Sequence, residues 1–226
     1  MDKPVCVVIG IGPKNGRAFA TRFANEGYAV ALLSRSTDYS SGLAAEIGGK
    51  AYACDVTDPA AIERAFSQVR GDLGNVDVLL YNAGSGKFGT FDDVADEEFE
   101  RGWQINVRGL LQSVRQVVGP MREKGAGAIV VTGATASLRG KPFTAAFAQA
   151  KAAHRSLAQS FARQLGPEGI HVAVVIVDGM IGTDDQDEDA TALRPADIAE
   201  TVHHLATQPK SAWSFEVDVR PFKENW

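Results

Sequence analysis

Val5-Cys6-Val7-Val8-Ile9-Gly10-Ile11-Gly12-Pro13-Lys14-Asn15-Gly16 is the stretch on which the fold turns. Val5–Ile9 is an unbroken apolar run. A strand with one wet face would alternate apolar and polar residues, so this run reads as a strand buried on both faces. Glycine ends it. Residues 17–25 then carry Ala18, Phe19 and Phe23 at helical spacing, stopped by Gly27. A buried strand, a glycine-rich turn and an amphipathic helix make the first half of a βαβ unit.

The same alternation continues outward. Residues 29–33 read as a second buried strand, 43–47 as a short helix before Gly48-Gly49, and 51–54 as a third strand. Asp58 caps a helix with Pro59 in its first turn, running to about Val69. Val76–Tyr81 is a fourth strand, and Asp96 caps a long helical region to about Lys124. Residues 128–132 form a fifth strand. Residues 144–166 read as a long helix with Leu157, Phe161 and Leu165 on one face. Ile170–Val177 is a sixth strand, 195–208 a helix and 215–219 a last strand. Strands alternating with helices of ten or more residues predict a doubly wound parallel sheet of about seven strands, with helices on both faces. No repeat or linker interrupts it, so residues 1–226 are expected to form one domain.

The first turn also carries chemistry. Gly10, Gly12 and Gly16 let the backbone turn tightly and approach a pyrophosphate, with Lys14 and Asn15 between them. The N–H groups and positive dipole end of the following helix would then face that anion. The end of the second strand should meet the adenosine ribose. An acid there would take the 2′-hydroxyl of NAD; a base would take the 2′-phosphate of NADP. The sequence offers Ser34-Arg35-Ser36, with no acid before Asp38. NADP(H) is therefore favoured over NAD(H).

Composition excludes several other readings. The 226 residues carry 23 Lys and Arg against 28 Asp and Glu, a net charge of −5 that disfavours a nucleic-acid binder. Cys6 and Cys54 are too few for a disulfide framework or a cysteine-rich zinc site and read as small buried strand residues. The apolar run after Pro4 is too short for a signal-peptide core, and no window is apolar for the ~18 residues of a membrane span. A soluble, cytoplasmic protein with a small-molecule substrate, and no membrane or nucleic-acid partner, is the expectation. His203 and His204 point to different faces of their helix, against a metal site there. The acidic run 184–189 reads as a solvated loop over the substrate.

Further segments carry a family resemblance. Asp55-Val56 follows the third strand, and Tyr81-Asn82-Ala83-Gly84 closes the fourth. Asn106 lies within Ile105-Asn106-Val107, and Lys151 opens Lys151-Ala152-Ala153. With the glycine turn, in this order and spacing, the chain resembles a short-chain dehydrogenase/reductase over nearly its whole length. The resemblance implies a Rossmann-type sheet and hydride transfer between a nicotinamide cofactor and a carbonyl or alcohol. It implies cofactor contacts from the glycine turn, Asp55, Val56, Asn82, Ala83, Gly84 and Lys151, and active-site roles for Asn106 and Lys151. It also implies a homodimer or homotetramer. The family's tyrosine is its general acid and base, and its serine orients the substrate oxygen. Here Phe147 stands four residues before Lys151, where the tyrosine belongs, and Ala134 stands thirteen residues before that, where the serine belongs. Lys14 replaces the turn's middle glycine, and Asp178 replaces a proline after the sixth strand. Thr132, Thr135, Ser137, a water held by Asn106 and Lys151, or Lys151 itself are the remaining proton donors. Three readings follow: an oxidoreductase with an altered proton relay, a catalytically silent NADP(H)-binding sensor or scaffold, or, with Lys14 in the turn, a structural or interaction module that has lost the cofactor.

Overall fold

The computed structural model of the chain describes residues 3–186 and 191–224. β1 (Val5–Ile9) lies inside a seven-stranded sheet, third from one edge. β2 (Ala29–Ser34) and β3 (Lys50–Ala53) extend it to one side. β4 (Val76–Tyr81), β5 (Gly127–Ala134), β6 (Ile170–Val177) and a last strand, Glu216–Val219, extend it to the other. Every pair in the sheet is parallel. The predicted doubly wound sheet is thus present, with the predicted number of strands.

Alternation along each strand divides the core in two. Val5, Val7 and Ile9 face a cluster with α3 (Pro59–Leu73) through Ile62, Phe66 and Val69. α5 (Gly109–Lys124) and α6 (Ala145–Leu165) join that face with Leu110, Val114, Ala158 and Leu165. Cys6 and Val8 face the opposite cluster, formed by α1 (Asn15–Asn25) with Phe19 and Phe23 and α2 (Asp38–Ile47) with Leu43. α7 (Pro195–Ala206) completes it with Ile198 and Val202. Strands apolar on both faces are what a sheet sandwiched between helix layers requires. Both cysteines are buried free thiols, and burial raises the Cys6 thiol well above its usual value and Cys54 to about 12.

Several boundaries differ from the sequence reading. α1 begins at Asn15 rather than 17, because the glycine turn runs straight into the helix. α2 begins at Asp38 rather than 43; its first turn is polar and gives no apolar period, yet Ser40 is buried and hydrogen-bonds Ser34 Oγ at 2.8 Å. The helix expected from 96 to 124 is three pieces. α4 (Asp96–Trp103) is followed by a π-helical turn, Gln104–Arg108, and then α5. Ala95, not Asp96, holds the cap position, and Asp96, Glu97 and Glu98 occupy the first turn. Their charges still favour the helix dipole. The π turn has a tertiary cause. The buried Tyr81 hydroxyl donates to the Ile105 carbonyl, which spoils regular α-helical pairing there, and Gly109 leaves room for that hydroxyl.

A two-residue pair was not foreseen: β7 (Met180–Ile181) runs parallel to β8 (Ala192–Leu193). It is too short to show a period. In the expected solvated acidic loop, Asp184 and Asp185 are exposed. Asp184 accepts a hydrogen bond from the Ala196 N–H at 2.8 Å, so its carboxylate caps α7. Residues 187–189 of that run lie outside the described residues.

Candidate active site

The strand order reverses between β1 and β4, and a crevice opens where their C-terminal ends diverge. Asn82 ties the two ends together. Its N–H donates to the Ile9 carbonyl at 2.9 Å and its side-chain amide to the Gly10 carbonyl at 2.8 Å. Gly10 sits at φ +92°, and a Cβ there would lie 2.5 Å from the Ala83 nitrogen. Only glycine combines that backbone with that approach. Gly12 is different: a Cβ would meet no protein atom within 4 Å, so its side of the turn is open space. Asn15 is buried in the first turn of α1, and its amide oxygen has no partner among the described residues. Lys14 does not lie free over the turn. Its ammonium donates to the Ile181 carbonyl on β7.

Two cavities follow the crevice and share Asn82 and Gly84. The first, about 270 Å³, is walled by Gly10, Ser34, Arg35, Asp55, Val56 and Ala83. Ser34 Oγ donates to the Ser36 carbonyl at 2.7 Å, and Ser36 Oγ donates to Asp38 at 2.7 Å. Both hydroxyls are thus engaged in starting α2, which leaves Arg35 as the cation at this end. Burial acts to raise the Asp55 carboxyl. Hydrogen bonds from Thr57 and the nearby charges of Arg35 and Arg101 outweigh it and hold the group below its usual range.

The second cavity, about 400 Å³, holds the polar groups of the far end. Lys151, on α6, is 5% exposed and donates to the Thr132 carbonyl of β5 at 2.9 Å. Burial pulls its ammonium down from 10.5 to about 8. A Cβ on Gly84 would lie 3.2 Å from Lys151 Nζ and 3.5 Å from Asn106 Oδ1, so that glycine sits between the two. Asn106, in the π turn, donates to the carbonyls of Ser85 at 2.6 Å and Gly102 at 2.8 Å. Its amide oxygen is buried and has no partner among the described residues. Phe147 and Ala134 line the same cavity. Phe147 packs so closely on Gly86 that a Cβ there would lie 2.4 Å from its ring. Neither side chain has a proton to exchange.

The profile of the short chain dehydrogenase family matches residues 4–194. The chain belongs to that family. It is similar to a sorbitol dehydrogenase of Cereibacter sphaeroides, with 32% identity over 79% of this chain and 72% of the relative. An uncharacterized oxidoreductase of Staphylococcus aureus is 26% identical over 96% of each chain. Among solved structures, an alcohol dehydrogenase from Thermococcus sibiricus complexed with 5-hydroxy-NADP superposes with a TM-score of 0.89. It is 26% identical and the match covers 99% of each chain. A metagenomic short-chain oxidoreductase in complex with NADP superposes at 0.86, with 28% identity and 98% coverage of each chain.

As a short-chain dehydrogenase, the protein has a crevice that fits a dinucleotide: open space at Gly12, orphaned amide oxygens on Asn15 and Asn106, and two joined cavities. Of the site residues read from the sequence, Gly10, Ser34, Arg35, Asp55, Val56, Asn82, Ala83 and Gly84 wall the first cavity and Asn15, Asn82, Gly84 and Lys151 the second, while Gly12, Lys14, Gly16, Ser36 and Asn106 line neither. What the sequence did not reveal is the packing around them. His154, one turn after Lys151, is buried edge-on to Tyr81, with ring centroids 5.7 Å apart. Burial, and then the Lys151 charge, hold its imidazole well below its usual value. Thr135 and Asp178 meet at the mouth of the second cavity through a contact spanning 43 residues. No cluster of three or more metal-ligating side chains forms among the described residues, and no helix among them is long and apolar enough to cross a membrane.

Proposed function

We propose that this protein is an NADP(H)-dependent oxidoreductase acting on a small carbonyl or alcohol, with its proton exchanged through Lys151. The observation that carries the reading is the placement of that lysine. It is a buried ammonium at the floor of a cavity whose neighbouring walls, Phe147 and Ala134, have no exchangeable proton. We take these two to occupy the family's tyrosine and serine positions, as their spacing to Lys151 indicates.

The glycine turn with Asn15 and Asn82–Gly84 would hold the pyrophosphate and nicotinamide ends, and Arg35 would face the 2′-phosphate. A bound NADPH would supply the hydride. The protein's part is the proton. Lys151 would give its ammonium proton to the forming alkoxide in reduction, and its neutral amine would take a proton in alcohol oxidation. A group titrating near 8 serves both directions at ordinary pH. Asn106 Oδ1, an acceptor without a protein partner, would hold a water that returns the proton. Arg35, the only cation among the side chains walling the first cavity, supports NADP(H) over NAD(H), as do the two NADP-containing neighbours.

The absence of both proton-handling side chains favours one other reading, an NADP(H) binder without turnover. Calorimetric titration with NADPH and NADH, followed by nicotinamide absorbance with a panel of ketones and aldehydes, separates the two. The relay reading expects NADPH binding and turnover that Lys151→Met abolishes. Binding with no turnover across the panel, and activity appearing only in a Phe147→Tyr, Ala134→Ser variant, would establish the silent binder instead.

A further inference from the structure

Beyond Phe147 the second cavity opens into an outer one of about 710 Å³, and Thr135 lines both. One part of its wall is apolar and uncovered, and the rest carries Thr135, Arg139, Lys141, Thr144, Asp178 and Glu224. Phe88 is 60% exposed, Phe143 52% and Met180 77%, and all three converge here with Phe147. The rings of Phe88 and Phe147 lie 5.3 Å apart. Several large apolar side chains left wet around one concavity mark surface that an apolar ligand covers.

At the polar end the Thr135 hydroxyl is committed as a donor. Thr135 Oγ1 donates to Asp178 Oδ1 at 2.5 Å. Asp178 is 5% exposed, and Arg220 faces its other oxygen at 3.2 Å, with Arg139 at 3.8 Å from the first. A threonine hydroxyl has one proton, and a carboxylate has none. With that proton given to Asp178, Thr135 offers the cleft only a lone pair. A ligand group beside it must therefore bring its own O–H or N–H. The charges at the mouth balance, Arg139 and Lys141 against Asp178 and Glu224, so an anionic ligand gains nothing there.

Building on the oxidoreductase reading, we propose that the cleft selects a bulky apolar carbonyl compound bearing a hydroxyl next to the reacting carbon. An aryl α-hydroxy ketone is the simplest member of this class. Its apolar body would cover Phe88, Phe143 and Met180, and its hydroxyl would donate to Thr135, which Asp178 holds in the accepting orientation. Asp178 is a positioning residue in this arrangement.

The test measures binding to the full chain with NADP⁺ present, using four probes. They are 2-hydroxyacetophenone, 2-methoxyacetophenone, acetophenone and hydroxyacetone. The hydroxy ketone is expected to bind at least about tenfold more tightly than its methoxy ether and than acetophenone, which lack the donor. It should exceed hydroxyacetone, which lacks the ring, by a similar factor. Thr135→Val should bring the hydroxy-to-methoxy ratio to about 1, and Thr135→Ser should restore it. Equal binding of the ether, equal binding of hydroxyacetone, or no binding of any probe overturns the proposal; the wild-type comparison stands without any variant. Selective binding, with no NADPH oxidation when NADPH replaces NADP⁺, would retire the oxidoreductase reading and leave the cleft's selectivity in place. Turnover without discrimination would do the reverse.

Discussion

Replacing Lys151 with methionine should stabilise the protein at neutral pH while abolishing its chemistry. The magnitude follows from burial. An ammonium whose pKa falls from 10.5 to about 8 is disfavoured in the folded state by about 3 kcal/mol below pH 8. Between pH 8 and 10.5 the unfolded chain binds the proton that the folded chain has lost, so wild-type stability rises with pH across that window. Methionine has similar length and no charge to desolvate. It leaves the Thr132 carbonyl without its lysine donor, which costs about 1–3 kcal/mol. The net expectation at pH 6–7 is a gain of about 0–2 kcal/mol, or up to roughly 8 °C in Tm for a chain of this size. The gain should shrink as pH rises from 8 and reverse by about pH 9.5, and near 10.5 only the lost hydrogen bond remains. Urea denaturation of both proteins at intervals between pH 6 and 10.5 reads this directly. A methionine variant less stable than wild type by the same amount at every pH would refute the reasoning, because the ammonium would then carry no burial cost.

Two further outcomes follow from the crevice. Gly10→Ala places a Cβ 2.5 Å from the Ala83 nitrogen at φ +92°, and should lower stability by about 2 kcal/mol or more and weaken NADPH binding, seen by thermal melts and calorimetry. Arg35→Ser removes the cation of the first cavity, and should weaken NADPH at least about tenfold while leaving NADH unchanged in the same titration.

How much of this was legible in the sequence depended on the range of the interaction. Val5–Ile9, Val76–Tyr81 and Ile170–Val177 have the boundaries read for them, because an apolar run, broken only at Asp77 and His171 in the last two, is a local property of a strand buried on both faces. Lys151, Asn106 and the glycine turn were legible from spacing and meet in one trough. The start of α2 was not, since Asp38–Gly42 is polar and held by Ser34 and Ser40 rather than by an apolar face. The π turn depends on Tyr81, 24 residues before Ile105. The Thr135–Asp178 pair and its arginines join β5, β6 and the end of the chain, so no local pattern announced them. Lys14 was legible as a replacement for the turn's middle glycine, but its bond to the Ile181 carbonyl on β7, 167 residues away, was not.

The central claim is that Lys151 moves the proton where Phe147 and Ala134 do not. The measurement that reaches it most directly is the rate of NADPH oxidation with saturating ketone as a function of pH, in wild type and in Lys151→Met. The account predicts a wild-type rate that falls as pH rises through about 8, with the methionine variant slower by at least about 100-fold and lacking that transition. NADPH oxidation of equal rate in both proteins, or NADPH bound with no oxidation at any pH, would contradict it.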